Sequence, residues 1–225
     1  MGTKRLKRIN FEWNPNLAYA IGLIATDGYV SKDKRHVVLT SSDHDQLITF
    51  RECLNKTNKI SINPPSSISK KTSYRIQIGD IVFLEWLNKI GLKNRKSLTI
   101  GSIKIPDKYI RDFLRGHLDG DGHVQSYVDK YNTYKNPNYI YNRLFIFFLS
   151  GSKRHIIWIR RKILKLIKIN GSFQEIKSKT QLGNNNMYSI KYSTKEAAKL
   201  ANWMYYHPQV PCLKRKRVKL LNFLK

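Results

Sequence analysis

Two aspartates in matched surroundings could hold a divalent cation. Asp27 and Asp121 each precede a glycine at the end of an apolar stretch with a helical period. A carboxylate at the C-terminal end of a helix is disfavoured by the helix dipole, and two such groups side by side would also repel each other. A divalent cation such as Mg²⁺, which prefers hard oxygen ligands, would remove both costs. A lone Asp-Gly pair is better explained as a turn into a strand, but its repetition favours the metal site.

The two aspartates belong to an internal repeat. Residues 20–28 read AIGLIATDG, and residues 114–122 read LRGHLDGDG, about half the chain further on. Each segment has a glycine five positions before its last aspartate, Gly22 and Gly116. Inside a helix such a glycine costs about 1 kcal/mol relative to alanine, but it permits another backbone to approach closely. Two motif helices packed side by side would explain both glycines, and a tolerated glycine in each helix is the alternative.

The elements after each motif follow one order, which is a strand pair, a helix, a second strand pair and a third helix. Their predicted ranges are 29–41, 43–54, 74–78 and 80–90 in the first half and 123–150, 153–167, 188–192 and 194–206 in the second. We therefore predict an α+β fold of two pseudo-symmetric αββαββα halves, whose antiparallel sheets are covered on one face by helices. The halves are residues 1–90 and 107–225, and residues 91–106 form a linker.

The charge of the chain indicates a polyanionic partner. Lys and Arg number 42 against 15 Asp and Glu, which gives a net charge of +27. Such an excess is costly in self-repulsion unless a partner such as nucleic acid neutralises it. No apolar run reaches the roughly 18 residues of a membrane-spanning helix, and the basic start lacks the apolar core of a signal peptide. We therefore expect a soluble intracellular protein, cytoplasmic or organellar, with no membrane partner.

The repeated motifs resemble the LAGLIDADG signature of homing endonucleases, and their duplication resembles the single-chain members of that family. Residues 20–28 keep the GLI and the final DG of the signature, and residues 114–122 keep the leading Leu, the Gly and the DGDG. The run IPDKYIRDFLR at 105–115 is also similar to the sequence that leads into the motif in that family. Through the order of its elements, the resemblance covers nearly the whole chain.

The resemblance implies a saddle of two sheets in the major groove of double-stranded DNA, with the motif helices at the central interface. It implies a monomeric endonuclease that hydrolyses one phosphodiester on each strand of a long pseudo-palindromic site. Two or three Mg²⁺ ions would be shared between Asp27 and Asp121, and Thr26 and Gly120 complete the expected metal set. Because the chain lacks intein splice-junction residues at its ends, we expect a free-standing, intron-type enzyme.

Three residues in or next to the second motif, Asp119, His117 and His123, have no counterpart in the first. The signature's first aspartate is Asp119 in the second copy but Ala25 in the first, and Asp119 either orients its neighbours or is solvated. His117 and His123 lie near Asp121, where they could suggest another metal site. Since neither is repeated in the first half, we expect surface or groove positions for both.

Each half ends on a basic cluster, residues 92–97 in the first half and 213–218 in the second. In the family, a lysine near this location lies in the catalytic pocket, and the candidates here are Lys96 in the first half and Lys216 or Arg217 in the second. The alternative is that both clusters contact phosphates at the surface. The cations that we expect to bind DNA from these clusters are Lys93, Arg95, Lys214, Arg215 and Arg217.

Base recognition is expected from the polar faces of the strands. Arg75 and Gln77 in the first half and Ser189 and Lys191 in the second alternate away from the apolar face, where Arg or Gln could contact base edges. A Tyr- and Asn-rich insertion at 127–142 indicates a longer hairpin, which either contacts DNA or is simply solvated.

A protein of the same fold that does not cut is the competing prediction. Relatives of this family include intron maturases that bind RNA and DNA-binding regulators. Loss of either motif aspartate would favour such a role, and both Asp27 and Asp121 are present. The sequence therefore favours the nuclease, and RNA is a partner only under the maturase alternative.

Overall fold

The structure, a computed structural model, describes residues 8–33, 35–65, 71–177 and 186–224. Its first half comprises α1 (Pro15–Thr26), β1 (Gly28–Val30), β2 (His36–Ser41), α2 (His44–Cys53), β3 (Ile60–Asn63), β4 (Ser73–Gly79), α3 (Ile81–Ile90) and α4 (Lys96–Thr99). A 3₁₀ turn (Asp107–Tyr109) leads into the second half, which comprises α5 (Ile110–Asp119), β5 (His123–Asp129), β6 (Tyr141–Ser150), α6 (Lys153–Ile167), β7 (Ser172–Ile176), β8 (Met187–Ser193), α7 (Thr194–Met204) and α8 (Lys214–Leu224).

The two sheets repeat one topology. The strand orders are β1-β2-β4-β3 and β5-β6-β8-β7, with antiparallel neighbours throughout. On the inner strands of each sheet, alternate apolar side chains are buried beneath the helices. The opposite side of each sheet is called the open face below; Arg75 and Gln77 lie on that of the first sheet and Lys191 on that of the second. The predicted α+β fold with two antiparallel sheets is confirmed.

The motif helices α1 and α5 pack against each other at the centre of the molecule. Asn14 caps α1 by accepting a 2.9 Å hydrogen bond from the Leu17 N–H, and Pro15 occupies the first turn. A Cβ built on Gly22 would lie 2.2 Å from the Phe113 carbonyl oxygen. The two backbones therefore approach more closely than any side chain at this position would permit, as the helix-interface prediction for the motif glycines requires.

Two helices are not predicted from the sequence. Helix α4 lies within the expected linker, and α8 runs through the second basic cluster. Each is hard to recognise, because α4 has only four residues and α8 begins with cations that oppose the helix dipole. The linker is also packed rather than extended over the surface, since Ile100, Ile103 and Ile105 are buried.

None of the helices in the described ranges combines the length and the apolar character needed to cross a membrane.

Candidate active site at the paired helix ends

Asp27 and Asp121 lie beside each other where the two motif helices end. Asp27 is the C-terminal cap of α1, and its backbone N–H donates to the Leu23 carbonyl at 3.0 Å. Burial and repulsion from the Asp121 carboxylate raise the pKa of Asp27 to about 6. Burial also raises the pKa of Asp121, whereas the charges of nearby lysines lower it. The chain thus holds two carboxylates together at a cost in electrostatic energy.

Gly120 closes the gap between the two helix ends. A Cβ built at this position would lie 2.0 Å from the Thr26 hydroxyl oxygen and 3.1 Å from Asp27 Oδ2. Thr26 itself donates its hydroxyl to the Leu23 carbonyl at 3.0 Å. Thr26 and Gly120, the two further members of the expected metal set, therefore contact each other directly beside Asp27.

Lys96 reaches the end of α1 from the short helix α4. Its ammonium group is buried and donates to the carbonyl oxygen of Thr26 at 3.2 Å and to that of Gly28. Burial lowers the pKa of Lys96 to about 8, although attraction to Asp121 and Asp27 opposes the shift. The cation therefore lies on the two carbonyl groups that bracket the first aspartate.

Lys216 takes the matching position at the end of α5. Its buried ammonium group donates to the carbonyl oxygens of Gly120 at 3.2 Å and Gly122 at 2.7 Å, the residues on either side of the second aspartate. It also donates to the carbonyl oxygens of Leu118 at 2.6 Å and Asp119 at 2.9 Å. Burial lowers the pKa of Lys216 to about 8. The pseudo-symmetry of the halves therefore extends to the two lysines.

Arg217, the alternative to Lys216, points away from the aspartates. Its guanidinium group donates to the Pro208 carbonyl and lies 3.9 Å from Cys212 Sγ. The structure thus separates the two candidates that the sequence left open, and Lys216 is the one beside α5.

Asp119 is a buried link between three segments. It is 2% exposed, and its Oδ2 accepts hydrogen bonds from the Tyr19 hydroxyl at 2.9 Å and from the Leu213 N–H at 2.7 Å. Burial raises the pKa of Asp119 to about 6. The sequence left two alternatives for Asp119, that it orients its neighbours or that it is solvated, and the second is therefore wrong. Asp119 orients α1 and the segment that begins α8, the helix that carries Lys216.

Comparisons with known proteins agree with the fold that carries this site. Residues 14–91 match the model of the LAGLIDADG-like domain family. The LAGLIDADG homing endonuclease I-LtrWI, solved bound to target DNA, superposes with a TM-score of 0.56 at 12% identity, over 93% of this chain and 89% of that one. The chain is a LAGLIDADG-fold protein. The family resemblance inferred from the motifs is confirmed by the family model for residues 14–91, and for the rest of the chain the fold that it implies is confirmed.

The LAGLIDADG fold also occurs outside the endonucleases. Full-length DUF199/WhiA from Thermatoga maritima superposes with a TM-score of 0.54 at 14% identity, over 96% of this chain and 63% of that one. In sequence, the replication factor C small subunit of Methanocaldococcus jannaschii is 25% identical over 121 residues, which are 52% of this chain and 6% of that relative. The chain thus spans only a small part of this curated relative. The fold alone therefore does not decide between cutting and other roles.

Arg115, in the second LAGLIDADG helix, is a buried residue that the sequence did not single out. Its guanidinium donates to the carbonyl oxygens of Met204 and Pro211, each at 2.6 Å, and to Asp112 Oδ1 at 2.7 Å. It therefore fastens the segment between α7 and α8 to the motif helix. The feature of the sequence that could have indicated this role is the presence of a cationic residue among the apolar residues of the motif.

His117 is also inside the second LAGLIDADG half, so the expected surface or groove position is wrong for this residue. It is 1% exposed, its ring lies 5.2 Å from that of His155, and burial holds its pKa well below the usual range. Phe113 and Phe148 pack against it at 5.9 Å and 5.8 Å between ring centroids. His123, in contrast, is exposed on the open face of the second sheet.

The residues expected to recognise bases lie in different surroundings. Arg75 and Gln77 are exposed on the first open face, where Arg75 Nη2 donates to Gln77 Oε1 at 2.9 Å. Lys191 is half-buried on the second. Ser189 is 1% exposed, so its expected place on a DNA-contacting surface is wrong. It lies on an inner strand, between Leu149 and Gln174 of the neighbouring strands; alternation gives the face of a residue but not its depth.

The remaining basic residues are at the surface. Lys93, Arg95 and Lys214 are exposed and free to meet phosphates. Arg215 is also exposed, but it forms an ion pair with Asp43 at 2.8 Å, which links the second half to the start of α2. The tyrosines of the long β5–β6 hairpin are exposed as well.

The donor set at the helix ends fits a hard divalent cation. The two carboxylates and the carbonyl groups of Thr26 and Gly120 offer only oxygen, the element that Mg²⁺ prefers. Each carbonyl has two lone pairs, so it can accept from its lysine and still bind a cation. Among the described residues no group of three or more His, Cys, Asp or Glu could hold a metal. Backbone and water oxygens would therefore have to complete the coordination shell.

Proposed function

We propose that this protein is a site-specific endonuclease that hydrolyses one phosphodiester on each strand of double-stranded DNA. The observation that carries the proposal is the pair Asp27 and Asp121, each bracketed by carbonyl groups that hold a buried lysine. Two carboxylates beside each other, of which Asp27 is half-buried, destabilise the folded chain unless a cation joins them. A purely structural role does not explain why the arrangement occurs twice.

The cofactor in this proposal is Mg²⁺, as two or three ions shared by Asp27 and Asp121 with the carbonyls of Thr26 and Gly120. Bound there, it would supply Lewis acidity and lower the pKa of a water molecule. The carboxylates hold the charge in place, and the close contact at Gly120 keeps the two halves of the site at a fixed separation. Lys96 and Lys216 place a positive charge beside each expected scissile phosphate.

DNA would lie along the open faces of the two sheets. Arg75, Gln77 and Lys191 are positioned to contact base edges in the major groove. The net charge of +27 supports a polyanionic partner. The cations proposed to contact phosphates are Lys93, Arg95, Lys214, Arg215 and Arg217.

Several further features of the proposal follow from the duplicated fold. Because one chain supplies both aspartates, a monomer is sufficient for double-strand cleavage of a pseudo-palindromic site. Residues 1–90 and 107–225 form the two DNA-binding halves, joined by 91–106. An intracellular location and a role in intron homing remain predictions from the sequence.

The test is selection from a randomised double-stranded DNA library, with Mg²⁺ in one arm and a chelator in the other. The proposal expects double-strand cuts within one long site in the Mg²⁺ arm alone. Tight binding of duplex DNA or structured RNA with no cutting in either arm would contradict it. That result would support a non-cleaving regulator or an RNA-binding maturase instead.

A further inference from the structure

The open faces of the two sheets differ in chemistry. At the centre of the first sheet, the inner strands present Arg75 and Gln77, which have hydrogen-bond donors and acceptors for base edges. The second sheet presents Phe145 and Phe147 on β6, with Lys191 opposite Phe147 on β8. The positions of β2 that match the two phenylalanines carry His36 and Val38, so the second half offers a pair of phenylalanine rings that the first half lacks.

The rings form a continuous strip across β5 and β6, and Lys191 of β8 lies beside it. The centroids of Phe145 and Phe147 lie 6.4 Å apart, with the Tyr127 ring 6.1 Å from the first and the His123 ring 5.8 Å from the second. Lys191 Nζ stands 4.2 Å from the Phe145 centroid and 5.8 Å from that of Phe147. We call His123, Tyr127, Phe145, Phe147 and Lys191 the aromatic strip.

We propose that the aromatic strip binds the 5-methyl groups of thymines in one half of the DNA site. The inference rests on the proposed function, because it requires duplex DNA on the open faces. In the major groove the thymine methyl is the apolar feature of the base edges, and phenylalanine makes apolar contact with it. Phe145 and Phe147 have no hydrogen-bonding groups with which to distinguish the other bases, so the methyl group is what they can recognise.

The charges around the strip favour DNA over an apolar protein surface. Lys191 lies over the two phenylalanine rings and Arg143 follows on the same face of β6, where it is paired with Asp129 at 3.0 Å. An apolar partner would have to desolvate these cations, whereas the major groove offers methyl groups beside acceptors and phosphates. Within the strip, Lys191 takes the position that matches Gln77 in the first half. The site is therefore asymmetric, with one half selected for thymines.

The direct test replaces thymine by uracil, which removes the methyl group and keeps the base pairing. A duplex is first recovered by binding selection in the presence of a chelator, so that it does not depend on cleavage. Uracil is then introduced into each half of the site separately, and the dissociation constant is measured. In one half we expect the dissociation constant to rise about fourfold for each methyl group removed, which corresponds to the free energy of burying one CH₂ group. In the other half we expect little change.

Substitutions assign the effect to the strip. In Phe145→Ala/Phe147→Ala the thymine and uracil duplexes should bind equally well, whereas Gln77→Ala should weaken both by the same factor and leave their ratio unchanged. If the double variant unfolds, the measurement on the wild-type protein still decides. Equal binding of thymine and uracil duplexes in both halves, by a protein that still binds and cuts its site, would overturn this inference alone. Failure to select any duplex would overturn the proposed function with it.

Discussion

Gly116 meets Gly22 across the interface of the two LAGLIDADG helices, where a Cβ on Gly116 would lie 3.2 Å from the Cα of Gly22 and 2.1 Å from the Tyr19 carbonyl oxygen. This contact fixes the separation of the helix ends that carry the two aspartates. The two glycines lower the stability of their own helices, because glycine has a low helix propensity. The close approach that they permit is what brings the carboxylates together.

Alanine at either motif glycine should destabilise the protein. Gly22→Ala and Gly116→Ala each place a methyl group inside the backbone of the opposite helix, so we expect a loss of about 2 kcal/mol or more in the free energy of unfolding. Urea denaturation measures the loss. Gly101→Ala is the matched control, since nothing lies within 4 Å of a Cβ at that position. Equal stability of all three variants would refute the close contact.

The two buried lysines should affect cleavage more than Arg217 does. Lys96→Met and Lys216→Met remove the cation beside each aspartate, and we expect cleavage to slow by about ten- to hundredfold, the usual effect of groups that support metal ligands. Arg217→Met, which alters a guanidinium directed at Pro208, should slow it much less. Cleavage rates under single-turnover conditions distinguish these outcomes. If the Arg217 variant were as slow as the lysine variants, the assignment of the supporting role to the two lysines would be wrong.

Asp27 should cost stability when no metal is bound. The folded-state pKa of Asp27 is raised from 3.8 to about 6, so the folded protein is favoured while the side chain is protonated. This stabilisation is present in full below about pH 3.8 and is lost as the pH rises through 6, where the carboxylate becomes charged. At pH 8, Asp27→Asn should therefore be more stable than the wild type by up to about 3 kcal/mol in the free energy of unfolding, and should unfold at a higher temperature. This difference in stability should be smaller at pH 5. Added Mg²⁺ should raise the melting temperature of the wild type more than that of the variant. A wild type that is the more stable at pH 8 without metal would contradict the electrostatic account.

Asp119 should act through α8 and not through the metal. Asp119→Ala leaves the Tyr19 hydroxyl and the Leu213 N–H without a buried acceptor, at a cost of about 1–3 kcal/mol each at most. Asp119→Asn keeps an acceptor oxygen and should recover much of the stability and of the cleavage rate. A substantial loss of Mg²⁺ affinity in the Asn variant, with stability unchanged, would instead make Asp119 a metal ligand.

Much of the fold follows from local signals in the sequence. The matched glycines and aspartates predict two paired helices, and alternation along 74–78 predicts a strand with one apolar face. The order of elements then repeats, so one half constrains the other. The short helix α4 could not be predicted, because four residues have too few turns to show a period; its stability comes from the tertiary contacts of Lys96 and Ile100.

The surroundings of polar side chains are less predictable than the elements that carry them. Ser189 follows a polar alternation but is enclosed by neighbouring strands, and His117 is a polar residue that packs among rings. Arg115 is buried because carbonyl groups about ninety residues further along the chain meet its guanidinium. Such partners are distant in sequence, and only the tertiary structure brings them together.

The most direct test of the proposed nuclease compares wild type with Asp27→Asn and Asp121→Asn on the selected duplex in Mg²⁺, measuring cleavage and binding in parallel. Each variant keeps the shape of the side chain but lacks the charge that would hold the cation. We expect double-strand cleavage to fall by at least about a hundredfold in each, a scale typical of losing one electrostatic group in an active site, while DNA affinity is kept. Variants that cut both strands at the wild-type rate would contradict the paired-aspartate mechanism.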